Sequence, residues 1–196
     1  LTTITAWEAL FDRLGIAKEA TANQGRIILI IGGAGGVGSI AIQIAKQVAG
    51  LHVIATASRP DSELWCRQQG ADAVINHRNP LKDELAAAGF TSVDYIFCTN
   101  SVEQYIAGMA EVIAPQGKIC TIVGTKDNEP IPMNLFMRKS VTFVYELMFT
   151  RPVFQTPDMH AQHELLTEAA RLVDAGVLHT TLTERFGPLT AANLRR

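Results

Sequence analysis

The run Arg26-Ile27-Ile28-Leu29-Ile30-Ile31-Gly32-Gly33-Ala34-Gly35-Gly36-Val37-Gly38-Ser39 decides the fold. Its first half is an unbroken apolar, β-branched-rich segment, the pattern of a strand with helices on both faces. Its second half puts five glycines into seven residues and leads into a helical pattern over residues 36–48. Residues 27–45 carry no charge, but glycines at the centre of the stretch break any helix that would span a membrane. Residues 33–38 satisfy G-x-G-x-x-G between strand and helix, which reads as a dinucleotide-binding turn. In that motif Gly33 permits the tight turn, Gly35 lets backbone N–H groups approach a pyrophosphate, and Gly38 allows close helix–strand packing. The helix N-terminus then faces the negative charge, so Gly33, Ala34, Gly35, Gly36, Val37 and Gly38 are candidate cofactor-binding residues.

Working outward, strands are expected at 26–31, 52–57, 73–76, 93–98, 118–123 and 141–147. Helical patterns at 36–48, 61–69, 81–88 and 102–113 alternate with them and end at Gly50, Gly70, Gly89 and Pro115. This alternation predicts an α/β, Rossmann-type, doubly wound sheet of six parallel strands with helices on both faces. The core is expected at 15–157, inside a dinucleotide-binding domain covering 1–196. Flanking it, 2–14 places Ile4, Trp7, Leu10, Phe11 and Leu14 on one helical face, and 158–175 does the same with Leu165, Leu166, Ala169, Leu172 and Val173. Residues 180–186 read as extended, with Thr190 as the N-cap of a further helix. Opening on Leu1, the chain reads as a piece of a longer protein. Val141, Phe143, Tyr145 and Leu147 would line an exposed sheet edge, which predicts a homodimer.

The chain has 196 residues, 47% hydrophobic and 18% charged, with 17 basic against 19 acidic side chains. That balance supports a packed core and excludes a basic surface for nucleic acid or an anionic membrane. Cys66, Cys98 and Cys120 lie too far apart for a disulfide framework or a C-x-x-C metal site, consistent with a reducing, cytoplasmic setting. They read as core fillers, with Cys98 at a strand end nearest the cofactor. His160-x-x-His163 with Glu164 is a surface pattern, and no metal site is expected.

Several rival chemistries fail letter by letter. Gly38 is followed by Ser39-Ile40, where a Walker A loop needs Lys then Ser or Thr. No G-x-S-x-G elbow is present. Four residues after Tyr95, Tyr105 and Tyr145 stand Thr99, Met109 and Phe149, so the Tyr-x-x-x-Lys pair of short-chain dehydrogenases is missing. At the end of the second strand an NADH-binding site usually carries an acidic residue. Ser58 and Arg59 stand there instead, a hydroxyl and a bidentate donor suited to a 2′-phosphate, which favours NADPH. Asp61 keeps NADH open, Ser58 could instead cap the next helix, and Arg59 speaks against a methyltransferase. A non-catalytic dinucleotide sensor shares the same glycine turn, so the motif leaves enzyme and sensor both open.

More specific strings surround this turn. Trp7-Glu8-Ala9-Leu10, Ala57-Ser58-Arg59-Pro60, Gly70-Ala71-Asp72 and Asp94-Tyr95 are joined by Ala114-Pro115-Gln116-Gly117, Glu146-Leu147-Met148-Phe149-Thr150-Arg151 and Phe154-Gln155-Thr156-Pro157-Asp158-Met159. On these the chain resembles the nucleotide-binding domain of the medium-chain dehydrogenase/reductase superfamily, in its quinone-oxidoreductase-like, zinc-type alcohol dehydrogenase-like branch. The resemblance implies an NADPH-dependent reductase of small carbonyl, quinone or enone substrates. Its catalytic residues would sit in a GroES-like domain upstream of this chain, which alone would hold the cofactor without turnover, and a final C-terminal segment would follow. It further implies cofactor contacts from His77, which replaces the tyrosine of an Asn-Tyr-Arg string, and from Thr99, which follows Cys98 where the family carries Asp. Val123, Gly124 and Thr125 would flank the nicotinamide half.

Overall fold

Strand β1 (Ile27–Ile31) lies near the middle of a six-stranded sheet in the computed structural model, which describes residues 1–195. It is joined by β2 (His52–Thr56), β3 (Ala73–Ile75), β4 (Val93–Cys98), β5 (Ile113–Thr121) and β6 (Thr142–Tyr145) in the order β3-β2-β1-β4-β5-β6. Every pairing is parallel, so the chain must return across a face between strands. The apolar runs show how both faces are used. Ile28, Ile30, Val53, Ala55, Phe97 and Cys120 enter one core cluster, whereas Leu29, Ile31, Ile54, Ile96, Cys98 and Ile119 enter the other.

Helix α1 (Thr2–Trp7), α2 (Gly36–Gln43), α3 (Pro60–Gln68) and α8 (Ala161–Asp174) serve the first cluster; α4 (Leu81–Ala87), α5 (Val102–Val112) and the short α6 (Asn134–Met137) cover the second. Both α1 and α2 continue as wider π-helical turns, over Glu8–Arg13 and Ile44–Val48. The expected amphipathic helix at the start of the chain is therefore present, with Trp7, Leu10, Phe11 and Leu14 buried and the Trp7 and Phe11 rings meeting edge-on at 4.8 Å. Gly70, Gly89 and Gly176 end α3, α4 and α8 as the sequence predicts: Ala71, Phe90 and Val177 N–H reach back to the carbonyls of Cys66, Leu85 and Leu172.

Four expectations are adjusted. Strand β5 begins at Ile113, directly after α5, because Gln116 takes a left-handed conformation and the register with β4 shifts between Val93 and Tyr95, letting the strand absorb Pro115. On α8 only Leu165, Ala169 and Leu172 are buried; Leu166 and Val173 lie off that stripe and are exposed. Residues 180–186 pair with no strand, and after Thr190 there is only the single turn Asn193–Arg195, with Asn193 N–H donating to Thr190 Oγ1. Two short helices, α6 and α7 (Thr150–Phe154), span too few residues to show a period. No helix among the described residues is long and apolar enough to cross a membrane.

Candidate functional site

The strand order reverses between β1 and β4, and at that switch point the carboxyl ends of the strands open a cleft of about 520 Å³. Its floor is the glycine turn. Gly32 N–H donates to Thr56 Oγ1 at 3.0 Å from β2, while Thr99 Oγ1 donates to the Ile31 carbonyl at 2.8 Å from the end of β4. Gly32 has φ of +84°, and a Cβ there would sit 2.3 Å from Thr99 Oγ1. The tight turn thus rests on Gly32, one residue before the glycine that the motif assigns to it. A Cβ on Gly33 would meet the Ala55 Cβ at 2.8 Å and Cys66 Sγ at 3.0 Å, so Gly33 serves the packing of the turn on β2 and α3. Gly38 lies closest to backbone: its Cβ would come within 2.2 Å of the Gly32 carbonyl oxygen.

With Gly35 in the N-cap position, α2 points its first, intrahelically unpaired N–H groups toward the cleft. Ser39 N–H and Oγ both donate to the Gly35 carbonyl at 2.8 Å, and Trp65 Nε1 donates to Ser39 Oγ at 2.7 Å. These bonds hold the turn rigid from behind.

Ala34, Gly35, Gly36, Val37, Ser58, Arg59, His77 and Thr99 all line this cleft. Groups of residues about twenty positions apart are brought together because four strands, β1 to β4, end at one level. Arg59 is exposed at the start of α3, its Nη2 3.5 Å from Ser62 Oγ, and makes no salt bridge among the described residues. The N-cap position of α3 is Arg59 itself, with Pro60 following, so Ser58 is not its cap. With Ser39, Trp65 and Thr183, Asp61 lines an adjoining pocket of about 340 Å³, which shares Ala34, Gly36 and Ser62 with the cleft. His77 meets Tyr105 edge-on at 6.4 Å. Partial burial, then the neighbouring Arg78 charge, lower its pKa below the ordinary 6.5, so at neutral pH it offers a hydrogen bond without a charge.

Val123, Gly124 and Thr125 stand beyond the cleft lining, where Ile122 takes the place expected of them. Gly33 and Gly38 shape the turn from below. Sequence reading passed over Gly32, Thr56, Ala57, Ser62, Asn100 and Ile122, all of which line the cleft. Their signal was positional: each lies within two positions of a residue already singled out. Cys98 is buried, its Sγ donating to the Asn100 carbonyl at 3.1 Å, and so faces backbone rather than the cleft.

A glycine turn at a helix N-terminus, placed at the switch point of a doubly wound sheet, defines a Rossmann-type dinucleotide-binding domain. The chain belongs to the zinc-binding dehydrogenase family, which matches residues 36–168, and it falls within the medium-chain dehydrogenase/reductase superfamily. A zinc-type alcohol dehydrogenase-like protein of Staphylococcus aureus is 45% identical over 194 residues, 99% of this chain and 57% of that protein. A crystal structure from Rhizobium etli, described as a zinc-dependent alcohol dehydrogenase protein, superposes with a TM-score of 0.88 at 51% identity, covering 100% of this chain and 56% of its own. An alcohol dehydrogenase superfamily protein from Novosphingobium aromaticivorans gives 0.76 at 28% identity, covering 94% and 52%. The chain therefore spans little more than half the length of these relatives.

The family name implies zinc, and the residues present do not fit it. Among the described residues no three His, Cys, Asp or Glu side chains come together as a ligand set. His160 and His163 are exposed neighbours with ring centroids 5.1 Å apart, and the three cysteines are buried separately.

Proposed function

We propose that this chain is the cofactor-holding domain of an NADPH-dependent oxidoreductase acting on small carbonyl, quinone or enone substrates. The observation that carries the reading is the convergence of the α2 N-terminus, the Cβ-free turn, Ser58 and Arg59 on one cleft at the switch point. The dinucleotide supplies hydride when bound. The chain's own work is then to grip and orient. N–H groups of Gly36 and Val37 receive the pyrophosphate, with helix α2 contributing its dipole. Arg59, unpaired with any carboxylate among the described residues, and Ser58 receive the 2′-phosphate, while Asp61 lines the adjoining pocket. His77 adds a neutral hydrogen bond, and Thr99 and Ile122 flank the nicotinamide end.

On this reading the groups that meet substrate belong to a GroES-like domain upstream, since the relatives are nearly twice as long. Pairing of two copies along β6 belongs to the same reading: β6 is an edge strand, and Tyr145, Leu147 and Phe149 are exposed beside it. The test is Arg59→Ala. Removing a charge-assisted hydrogen bond of about 1.5–3 kcal/mol weakens NADPH by about 10-fold or more, with NADH little changed. Equal losses for both dinucleotides would overturn the assignment of Arg59, and full-length protein that binds NADPH but turns over no quinone, enone or aldehyde would favour a sensor.

A further inference from the structure

A buried polar network joins α1, the segment after β6, α7 and α8, away from the glycine turn. Arg151 is its hub. Its Nη1 bonds Glu8 Oε1, its Nη2 lies 2.9 Å from Asp12 Oδ2, and its Nε donates to Asp158 Oδ2 at 3.0 Å. Gln162 Nε2 donates both to Glu8 Oε1 at 2.9 Å and to the Met148 carbonyl at 2.7 Å. Arg13 Nε donates to Glu146 Oε2 at 2.6 Å, and Glu146 N–H to the Thr121 carbonyl at 2.9 Å. Four carboxyl groups thus meet two guanidinium groups in a region where Glu8 and Glu146 side chains are fully enclosed.

Two oxygens remain. Glu8 Oε2 and Glu146 Oε1 are both buried without a partner among the described residues. Each leftover atom would cost the desolvation of a charged oxygen if both groups were ionised. A single proton removes both deficits, because a carboxylic acid donates to a carboxylate and two carboxylates cannot bond each other. Glu8 Oε2 and Glu146 Oε1 are the two buried side-chain oxygens left so among the described residues, and one helical turn, Glu8–Arg13, carries both Glu8 and the Arg13 that bonds Glu146.

We propose that Glu8 and Glu146 share one proton between Glu8 Oε2 and Glu146 Oε1, and that it is a positioning device tying the segment after β6 to helix α1. That segment matters to the cleft. Glu146, Leu147 and Met148, with Thr5, Val37 and Ile122, line a mostly apolar cavity of about 250 Å³, and Val37 and Ile122 also line the cleft. Thr5 Oγ1 donates to Met148 Sδ at 3.3 Å, so α1 holds this wall at a second point. Loss of the proton puts two facing charges behind the wall and loosens it, whichever dinucleotide occupies the cleft.

The charged and titratable groups facing the pair are Asp12 and Arg13 from α1, Cys120 from β5, Arg151 from α7, and Asp158 before α8. Burial first, and then Glu8 beside it, outweigh Arg13 and push the Glu146 carboxyl up from the ordinary 4.5 to about 7. Between those two values the folded chain keeps a proton that the unfolded chain has released, so stability falls as pH rises through that window and is flat above it.

The experiment follows unfolding of the intact protein by urea from about pH 4.5 to about pH 8, for wild type, Glu146→Gln and Glu8→Gln. An amide at either position keeps shape and donates to the remaining carboxylate without titrating. Relative to Glu146→Gln, the wild-type folded-to-unfolded ratio falls by about two orders of magnitude across the window, and Glu8→Gln, which keeps the buried Glu146, falls between the two. Infrared spectra of folded wild type near neutral pH show a protonated carboxylic acid carbonyl that both variants lose. Hydrogen-exchange protection at Leu147, Met148 and Phe149, corrected for the intrinsic base-catalysed rate, falls at the alkaline end in wild type and holds in Glu146→Gln. Parallel pH profiles for all three proteins, or a wild-type spectrum without the carboxylic acid band, would overturn the proposal; if one variant does not fold, the other carries the comparison.

Discussion

Replacing Gly38 by alanine tests the close approach on which the anion-binding turn depends. The new methyl would stand 2.2 Å from the Gly32 carbonyl oxygen and 2.8 Å from both the Gly33 Cα and its carbonyl oxygen. All three are backbone atoms, so no side chain can rotate away, and relief requires helix α2 to back off the end of β1. Overpacking of this kind costs about 1–3 kcal/mol, and contact with immobile backbone belongs at the upper end. Alanine returns up to about 1 kcal/mol of helix propensity, leaving a net loss of about 2 kcal/mol. Gly33→Ala meets the side-chain atoms of Ala55 and Cys66 at 2.8 and 3.0 Å, of which the thiol can yield, and so loses less, about 1 kcal/mol. Gly124→Ala is the control, because nothing lies within 4 Å of its Cβ, and restricting the unfolded chain makes it neutral or more stable by about 0.5 kcal/mol. Urea unfolding at unchanged m-value ranks the three. The reasoning is refuted if Gly38→Ala lies within about 0.5 kcal/mol of wild type, the scatter of unremarkable surface changes. A folded Gly38→Ala protein should also lose dinucleotide affinity, since Gly36 and Val37 move with the helix.

Lys139 caps the end of α5 with its Nζ donating to the carbonyls of Ala110, Glu111 and Ile113 at 2.9, 2.8 and 2.7 Å. Lys139→Met keeps the packed stem and removes the donor, which should cost about 1–2 kcal/mol by thermal unfolding; an unchanged midpoint would count against the cap. Burial raises the Cys66 thiol to about 11 and those of Cys98 and Cys120 to about 12, so an alkylating reagent at mildly alkaline pH should leave folded protein unmodified and label all three after denaturation. Fast labelling of any one in the native state would contradict that burial.

Much of the cleft could be read before any coordinates because its elements are local. The glycine turn, the strand before it and the helix after it are contiguous, and Ser58 and Arg59 follow from where β2 must end. Tertiary packing reassigned the duties within the turn. Gly32 takes the strained φ because Thr99, far along the chain, occupies the space a Cβ would need. Ile122 rather than Val123, Gly124 or Thr125 lines the cleft, directly after β5 ends with Thr121 paired to Cys98. The short helices α6 and α7 and the buried Glu8–Glu146–Arg151 network had no signature in spacing.

The sequence by itself determined the sheet's parallel character, the two apolar faces of each strand, the helix stops and the anion-seeking turn, because each is a matter of periodicity or of one residue's backbone freedom. Only the tertiary structure decided which side chains meet across the strand ends, which glycine bears the strain, and that Glu8 and Glu146, 138 positions apart, are enclosed together. Those outcomes depend on desolvation and on distances between segments that contact each other only once the sheet has closed around them.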